Sequence, residues 1–243
     1  MDPLVTVITP TTASDQLNDV LKSIDRQTYK NIQHLVVVDG FDKYAVKATQ
    51  LMEGAIRSTA FALPHNTGYD QYNGHRIYGA MTYIAEGEFL CFLDQDNWYE
   101  DNHIESLVDV IKAGNEWAYS LRKIVSQEGT YICNDDCESL GKWRSILNDN
   151  FVDVNCFMIP KMAAIHFSPY WYRRARHPQE QPEVDRILSG FMMQNFKKFD
   201  TNGDYTVNYR VASRADSVQD VFFIKGNEVM KNNMNGEYPW RKI

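Results

Sequence analysis

The sequence predicts an α/β protein with a mostly parallel sheet and helices on both faces, and two observations carry that expectation. Short β-branched apolar runs alternate with amphipathic helical stretches at intervals of about 30 residues through the N-terminal half. Each run ends in a polar or acidic residue, at Thr9, Asp39 and Asp94, and open sheets of this kind bind ligands at the carboxyl ends of their strands.

Leu4 to Ile8 reads as a buried strand that stops at Thr9-Pro10. Ser14 is placed to cap the helix that follows, whose Leu17, Val20, Leu21 and Ile24 share one face at i, i+3, i+4, i+7 spacing. His34 to Val38 is a second strand, residues 42–57 a helix, Ser58 to Leu63 a third strand, and Pro64 to Gly68 a loop. A helix over residues 72–85 leads to a strand at Glu88 to Leu93, and Ile104, Leu107, Val108 and Ile111 stripe the next helix. The alternation is Rossmann-like and covers residues 1–112, read as the nucleotide-binding half of a single domain over 1–243.

Beyond residue 115 the pattern changes. Trp117 to Val125, Val152 to Ile159 and Tyr205 to Val211 read as strands and Glu183 to Phe196 as a helix, with aromatic and polar stretches between them. This half, residues 113–243, is expected to complete the sheet with a small antiparallel extension and to shape an acceptor pocket.

The chain carries 25 Lys and Arg against 32 Asp and Glu, a net charge of −7, which argues against a protein that coats nucleic acid or anionic lipid. Four cysteines in no framework pattern fit a reducing, cytoplasmic compartment. No secretory signal is visible, and no apolar run approaches the roughly 20 residues of a membrane span, so membrane contact is expected to be peripheral at most.

The sharpest local feature is Phe92-Leu93-Asp94-Gln95-Asp96-Asn97. Two carboxylates one residue apart at a strand end offer hard oxygen ligands to Mn²⁺ or Mg²⁺, with phosphate and water completing the shell. The competing reading is a solvated loop in which Asp96 or Asn97 caps the next helix. Six acids and no Lys or Arg lie between Asp94 and Asp109, a local cluster that would repel a diphosphate unless a cation stood between them.

Several motifs in order, Val7-Ile8-Thr9-Pro10-Thr11-Thr12, Ser23-Ile24-Asp25-Arg26-Gln27-Thr28-Tyr29, Val36-Val37-Val38-Asp39-Gly40, Asn66-Thr67-Gly68 and the Asp-x-Asp loop, resemble glycosyltransferase family 2. The resemblance implies a GT-A fold and transfer of a sugar from a nucleotide diphosphate sugar, with inversion, to a glycan or lipid-linked saccharide acceptor. It further implies that Pro10 and Thr11 line the nucleotide pocket and that Asp39 meets the base or ribose. Asn66, Gly68 and Arg76 would run past the nucleotide and phosphates, Asp94 would touch the ribose or donor sugar, and Asp96 would bind the metal. The sequence departs from the family pattern at Gly40, Ile77 and Asn97, where an acid, an Asn and an acid are usual.

An inverting transfer needs one general base for the attacking hydroxyl. In the family this is an acid at the start of a helix in the C-terminal half, matched here by Asp185 first and Glu183 second. Acids in a first helical turn are also favoured by the helix dipole alone. Arg76 could fork onto a phosphate or simply lie on a helix surface. Tyr170-Trp171-Tyr172-Arg173-Arg174-Ala175-Arg176-His177 reads as a loop over the acceptor pocket, a patch against a membrane surface or, least favoured given the acidic balance, a nucleic acid platform. Among the histidines, His166 is the candidate for a further metal ligand. Asp200 to Asp204 lacks the Gly and Glu of a calcium loop and reads as a turn, and Cys133 and Cys137 lack the second pair a zinc site needs.

Two rival functions remain beside the transferase. A nucleotidyltransferase would carry a Gly-rich basic loop after the first strand, which Thr9 to Ala13 lacks. A catalytically silent binding protein of the same fold is the other.

Overall fold

The computed structural model describes residues 2–69, 72–172, 184–212 and 217–242. One nine-stranded sheet organises them, in the order β3-β2-β1-β4-β8-β6-β9-β5, with β7 paired to the side of β6. Strands β1 (Val5–Thr11), β2 (Ile32–Asp39), β3 (Ser58–Leu63) and β4 (Phe89–Phe92) are mutually parallel. The sheet is mixed beyond them: β8 (Phe157–Pro160) is antiparallel to both β4 and β6 (Trp117–Val125), and β9 (Phe199–Arg210) runs parallel to β6. The short strands β5 (Trp98–Tyr99) and β7 (Tyr131–Asn134) pair antiparallel with β9 and β6.

The chain leaves β1 for β2 and β3 on one side and returns to place β4 on the other. That reversal opens a crevice at the carboxyl ends of β1 and β4, the switch point at which α/β sheets bind ligands. Helices α1 (Leu17–Arg26), α2 (Phe41–Met52), α3 (His75–Ile84) and α4 (His103–Lys112) connect this half. Helices α5 (Lys161–Phe167), α6 (Val184–Asn195) and α7 (Asp220–Asn233) belong to the second. Val5, Val7, Ile8, Val36 and Val37 are buried under Leu17, Val20 and Ile24, the stripe expected of α1, in one core that continues to Trp117, Phe157 and Leu188. A second core gathers Leu121, Ile124, Leu140, Phe223, Met230 and Trp240 beneath α7.

Some boundaries differ from the sequence reading for physical reasons. β1 continues through Thr9-Pro10 to Thr11, because its pairing with β4 ends at Ile8 and only β2 flanks Pro10, whose missing N–H costs nothing on an open side. Ser14 does not cap α1: the helix starts at Leu17 after Gln16, and the Ser14 hydroxyl accepts from the Gln16 amide instead. The expected strand over Val152 to Ile159 is half a 3₁₀ turn, Val154–Cys156, because the Asp153 carboxylate accepts from the Asn155 amide and caps it. Asp200 to Asp204, read as a turn, lies inside β9, where the register with β6 shifts and Gly203 takes a φ of 74°.

Candidate active site

A cleft of about 660 Å³ opens at the switch point, well within the size of small-ligand sites. Pro10, Thr11, Asp39, Asn66, Gly68, Asp94, Asp96 and Asp185, all singled out from the sequence, line it together. They come from the ends of β1, β2 and β4, the loop after β3 and the first turn of α6.

Asp39 closes the loop after β3. Its Oδ1 accepts from the Thr67 amide at 2.6 Å and its Oδ2 from the Gly68 amide at 2.9 Å, while Asn66 Nδ2 donates to its carbonyl at 3.2 Å. A Cβ at Gly68 would meet the Asn73 carbonyl and Asp39, so only glycine lets the loop fold against the carboxylate. The departure at Gly40 has a similar cause. Its φ of 100° is left-handed, a conformation costly for the acid that the family pattern expects.

Asp94 is held from three directions. Tyr78 Oη donates to Oδ1 at 2.7 Å, Asn155 Nδ2 donates to Oδ2 at 3.0 Å, and the Asp94 amide donates to Asn155 Oδ1 at 2.8 Å. Burial, with the nearby Asp96 charge, still raises its carboxyl to about 6, against the opposing bonds from Asn155 and Tyr78. Gln95, between the two acids, also lines the cleft, and its Oε1 accepts from Thr11 Oγ1 at 2.8 Å and from the Thr12 amide at 3.0 Å, tying this loop to the one after β1.

Arg210, which no motif marks, braces the same loop from the end of β9. Its Nη1 donates to the Asp96 carbonyl at 2.5 Å, its Nη2 to Asp19 at 2.9 Å, and its amide to Asn97 Oδ1 at 2.9 Å. Asn97 therefore does the work of a loop anchor where the family pattern has an acid. Of the histidines it is His75, not the preferred His166, that lines the cleft; burial pushes its imidazole down to about 4, so it is neutral near pH 7.

Two candidates lie elsewhere. Arg76 does not line the cleft: its Nη1 donates to the Thr67 carbonyl at 3.0 Å and its guanidinium stacks over Tyr72 at 3.8 Å, with Tyr69 and Tyr172 flanking. It supports the loop from behind. His166 is exposed on α5 and bonds the Met162 carbonyl of its own helix at 2.9 Å, away from the cleft; i, i+4 bonding on a surface helix satisfies it without a metal. Glu183 and the arginines of the segment after Tyr172 fall outside the described residues.

The acidic stretch also resolves differently from the cluster expected. Glu100 pairs with Lys123 at 2.6 Å, Asp101 with Arg26 at 3.0 Å, and Glu105 accepts from Thr28 at 2.6 Å, which leaves Asp94 and Asp96 as its members at the cleft. Among the described residues no group of three His, Cys, Asp or Glu side chains converges as a metal site.

An open switch-point cleft with a carboxylate loop at its floor defines an α/β protein of the GT-A type. The profile of the family described as Glycosyl transferase family 2 matches residues 6–174, and the chain belongs to that family. A search of the curated proteins finds no significant match. Among solved structures, S. aureus TarS 1-349 superposes with a TM-score of 0.64 at 15% identity, covering 85% of this chain and 60% of that one. The same protein in complex with UDP-GlcNAc gives 0.63 at 13% identity over 95% and 66%. A mannosyltransferase from Pyrobaculum calidifontis, PcManGT, in complex with GDP-Man and Mn²⁺, gives 0.58 at 13% identity over 88% and 59%. The chain thus spans about 60% of the first of these structures.

Proposed function

We propose that this chain is a metal-dependent, inverting glycosyltransferase that moves a sugar from a nucleotide diphosphate sugar to a hydroxyl of a glycan or lipid-linked saccharide. The observation that carries the reading is that one cleft is lined both by the Asp94–Asp96 loop and by Asp185 on a separate element. A transferase needs those two functions, charge compensation at the leaving diphosphate and a proton acceptor for the nucleophile, in one cavity.

A divalent cation fits the donor set, since Asp94 and Asp96 are hard oxygen donors whose mutual repulsion already disfavours the charged form of Asp94. Asp96 would hold it, with Asp94 beside it, and when bound it supplies positive charge against the diphosphate. Two carboxylates are too few for an all-protein cage, which suits a cation completed by substrate phosphate and water.

The chain's own residues divide the remaining work. Pro10, Thr11 and the loop tied down by Asp39 shape the nucleotide side of the cleft, with Asn66 and Gly68 presenting backbone near it. Asp94, fixed by Tyr78 and Asn155, orients the ribose or donor sugar. Asp185, in the first turn of α6, takes the proton from the acceptor hydroxyl as the new bond forms on the face opposite the leaving diphosphate. The C-terminal half, residues 113–243, carries the acceptor side, and Tyr170 to Tyr172 stand at its described edge.

No helix among the described residues is long and apolar enough to cross a membrane. All four cysteines are free thiols, which suits the reducing, cytoplasmic setting expected from their pattern in the sequence. The test is release of nucleotide diphosphate from UDP-GlcNAc and GDP-Man with and without MnCl₂. Turnover that needs the cation and is lost in Asp185→Asn supports the reading, and nucleotide binding with no turnover across a donor panel favours a silent binding protein.

A further inference from the structure

A buried chain of charges joins the two working elements of the cleft. Glu138 lies in the loop after β7, and its side chain is 14% exposed. Its Oε1 accepts from Arg186 Nη2 at 2.6 Å and its Oε2 from Arg122 Nη2 at 2.5 Å. Arg186 is the neighbour of Asp185 on α6, and its other fork arm pairs with Asp149. Arg122, on β6 and 2% exposed, also donates to Asp135 at 2.8 Å and to Asp153 at 2.5 Å. Asp153 in turn accepts from both the amide and the side chain of Asn155 at 2.9 Å, and Asn155 grips Asp94.

We propose that Glu138 is a positioning residue, whose two-sided bridge between Arg186 and Arg122 fixes the first turn of α6, and with it Asp185, against the Asp94 loop. The proposal rests on the reading of Asp185 as the base. Its physical logic is that Asp185 lines the cleft from the first turn of α6, and the buried Val184, Leu188 and Met192 seat that helix on the core without by themselves setting how its first turn is rotated about the axis. A guanidinium at the next residue, with one arm on Glu138 and the other on Asp149, fixes that rotation. Burial of the bridge makes it directional, since a displaced Arg122 would leave Asp135 and Asp153 without their partner in a dry interior. A shift of about 1 Å in a reacting group is enough to cost on the order of a hundredfold in rate.

Glu138→Gln keeps the shape but turns an amide N–H₂ toward one of the two guanidiniums. Arg186→Lys keeps the charge but cannot fork, and its site is one-fifth exposed, so it decides the matter should the first variant be recovered unfolded. The measurement is steady-state hydrolysis or transfer of UDP-GlcNAc or GDP-Man with MnCl₂, alongside calorimetric binding of UDP and GDP. The proposal expects kcat to fall by about tenfold or more in both variants, with KM for the donor and nucleotide affinity within about threefold of the parent. Wild-type kcat in a folded Arg186→Lys or Glu138→Gln overturns it, as does a loss of kcat matched by an equal loss of nucleotide binding. A parent protein with no turnover on any donor counts instead against the assignment of the site.

Discussion

The two halves of this sheet are stabilised by different means. Strands β1, β2 and β4 bury Val5, Val7, Ile8, Val36, Val37 and Phe92 in a branched core, and the polar side chains they bury short of the carboxyl ends, Thr6 and His34 among them, carry no charge near pH 7. The half around β6 and β9 instead buries charge: Arg122, Asp135 and Asp153 are each at most 5% exposed, and Asp136 gathers Tyr205, Trp240 and Arg241. A dry core holds a backbone in place and lets loop ends do the recognition. A buried ionic network holds particular side chains, at the cost of desolvating them, and that suits the half that must position a base.

This contrast sharpens into outcomes of decreasing size. Asp185→Asn is expected to lower turnover by about 10²- to 10⁴-fold with nucleotide affinity unchanged, read from initial rates and calorimetric titration. Arg122→Met should cost roughly 3–5 kcal/mol in urea unfolding, because it strands Asp135, Asp153 and Glu138 without their common cation. In the dry half Gly40→Ala should cost about 1–2 kcal/mol for placing a Cβ at a φ of 100°. Ile8→Val should cost only about 0.5–1.5 kcal/mol by the same method. If Ile8→Val proved as damaging as Arg122→Met, the distinction between the halves would not stand.

Acid tests both halves together. Burial pushes His34 and His103 down to about 3; as neutral rings, His34 is bonded at both nitrogens, by Thr9 and Ser58, and His103 at Nδ1 by Thr206. An unfolded chain protonates these imidazoles near 6.5, so between pH 6.5 and about 3 it binds protons that the folded chain does not, and stability falls as pH falls. Asp94, raised to about 6, acts in the opposite sense between pH 3.8 and 6, because there the folded state is the one that keeps the proton. With His34, His103 and His75 pushed down against Asp94 and Glu138 pushed up by burial, Tm should decline from pH 7 to 4, and His34→Gln should flatten the decline.

The same contrast governs what the sequence made legible. β3 and β6 appear with their expected bounds, α1 buries its whole expected stripe and α4 buries Ile104, Leu107 and Val108 of its own, because a helix packed on an apolar core writes its period directly into the residues. Motif order likewise picked out Asp39, Asp94 and Asp96 as neighbours in space. Beyond β6 the second half is less regular. The turn-like run Asp-Thr-Asn-Gly-Asp hides the first part of β9, and α7 carries a weak signal because Gly226 takes a position on its buried face between Phe223 and Met230. Arg210 and Glu138 carry no local signal at all: their partners lie 114 and 48 residues away in the chain, and only folding brings them together.

The central claim is that the cleft carries out sugar transfer with Asp96 at a cation and Asp185 at the acceptor. The most direct measurement is nucleotide diphosphate release from a panel of nucleotide sugars by the parent chain and by Asp96→Ala, with MnCl₂ varied. Saturable, Mn²⁺-dependent release by the parent, falling by about a hundredfold or more in Asp96→Ala, is the predicted result. Equal release by both proteins, or release indifferent to the cation, would contradict it.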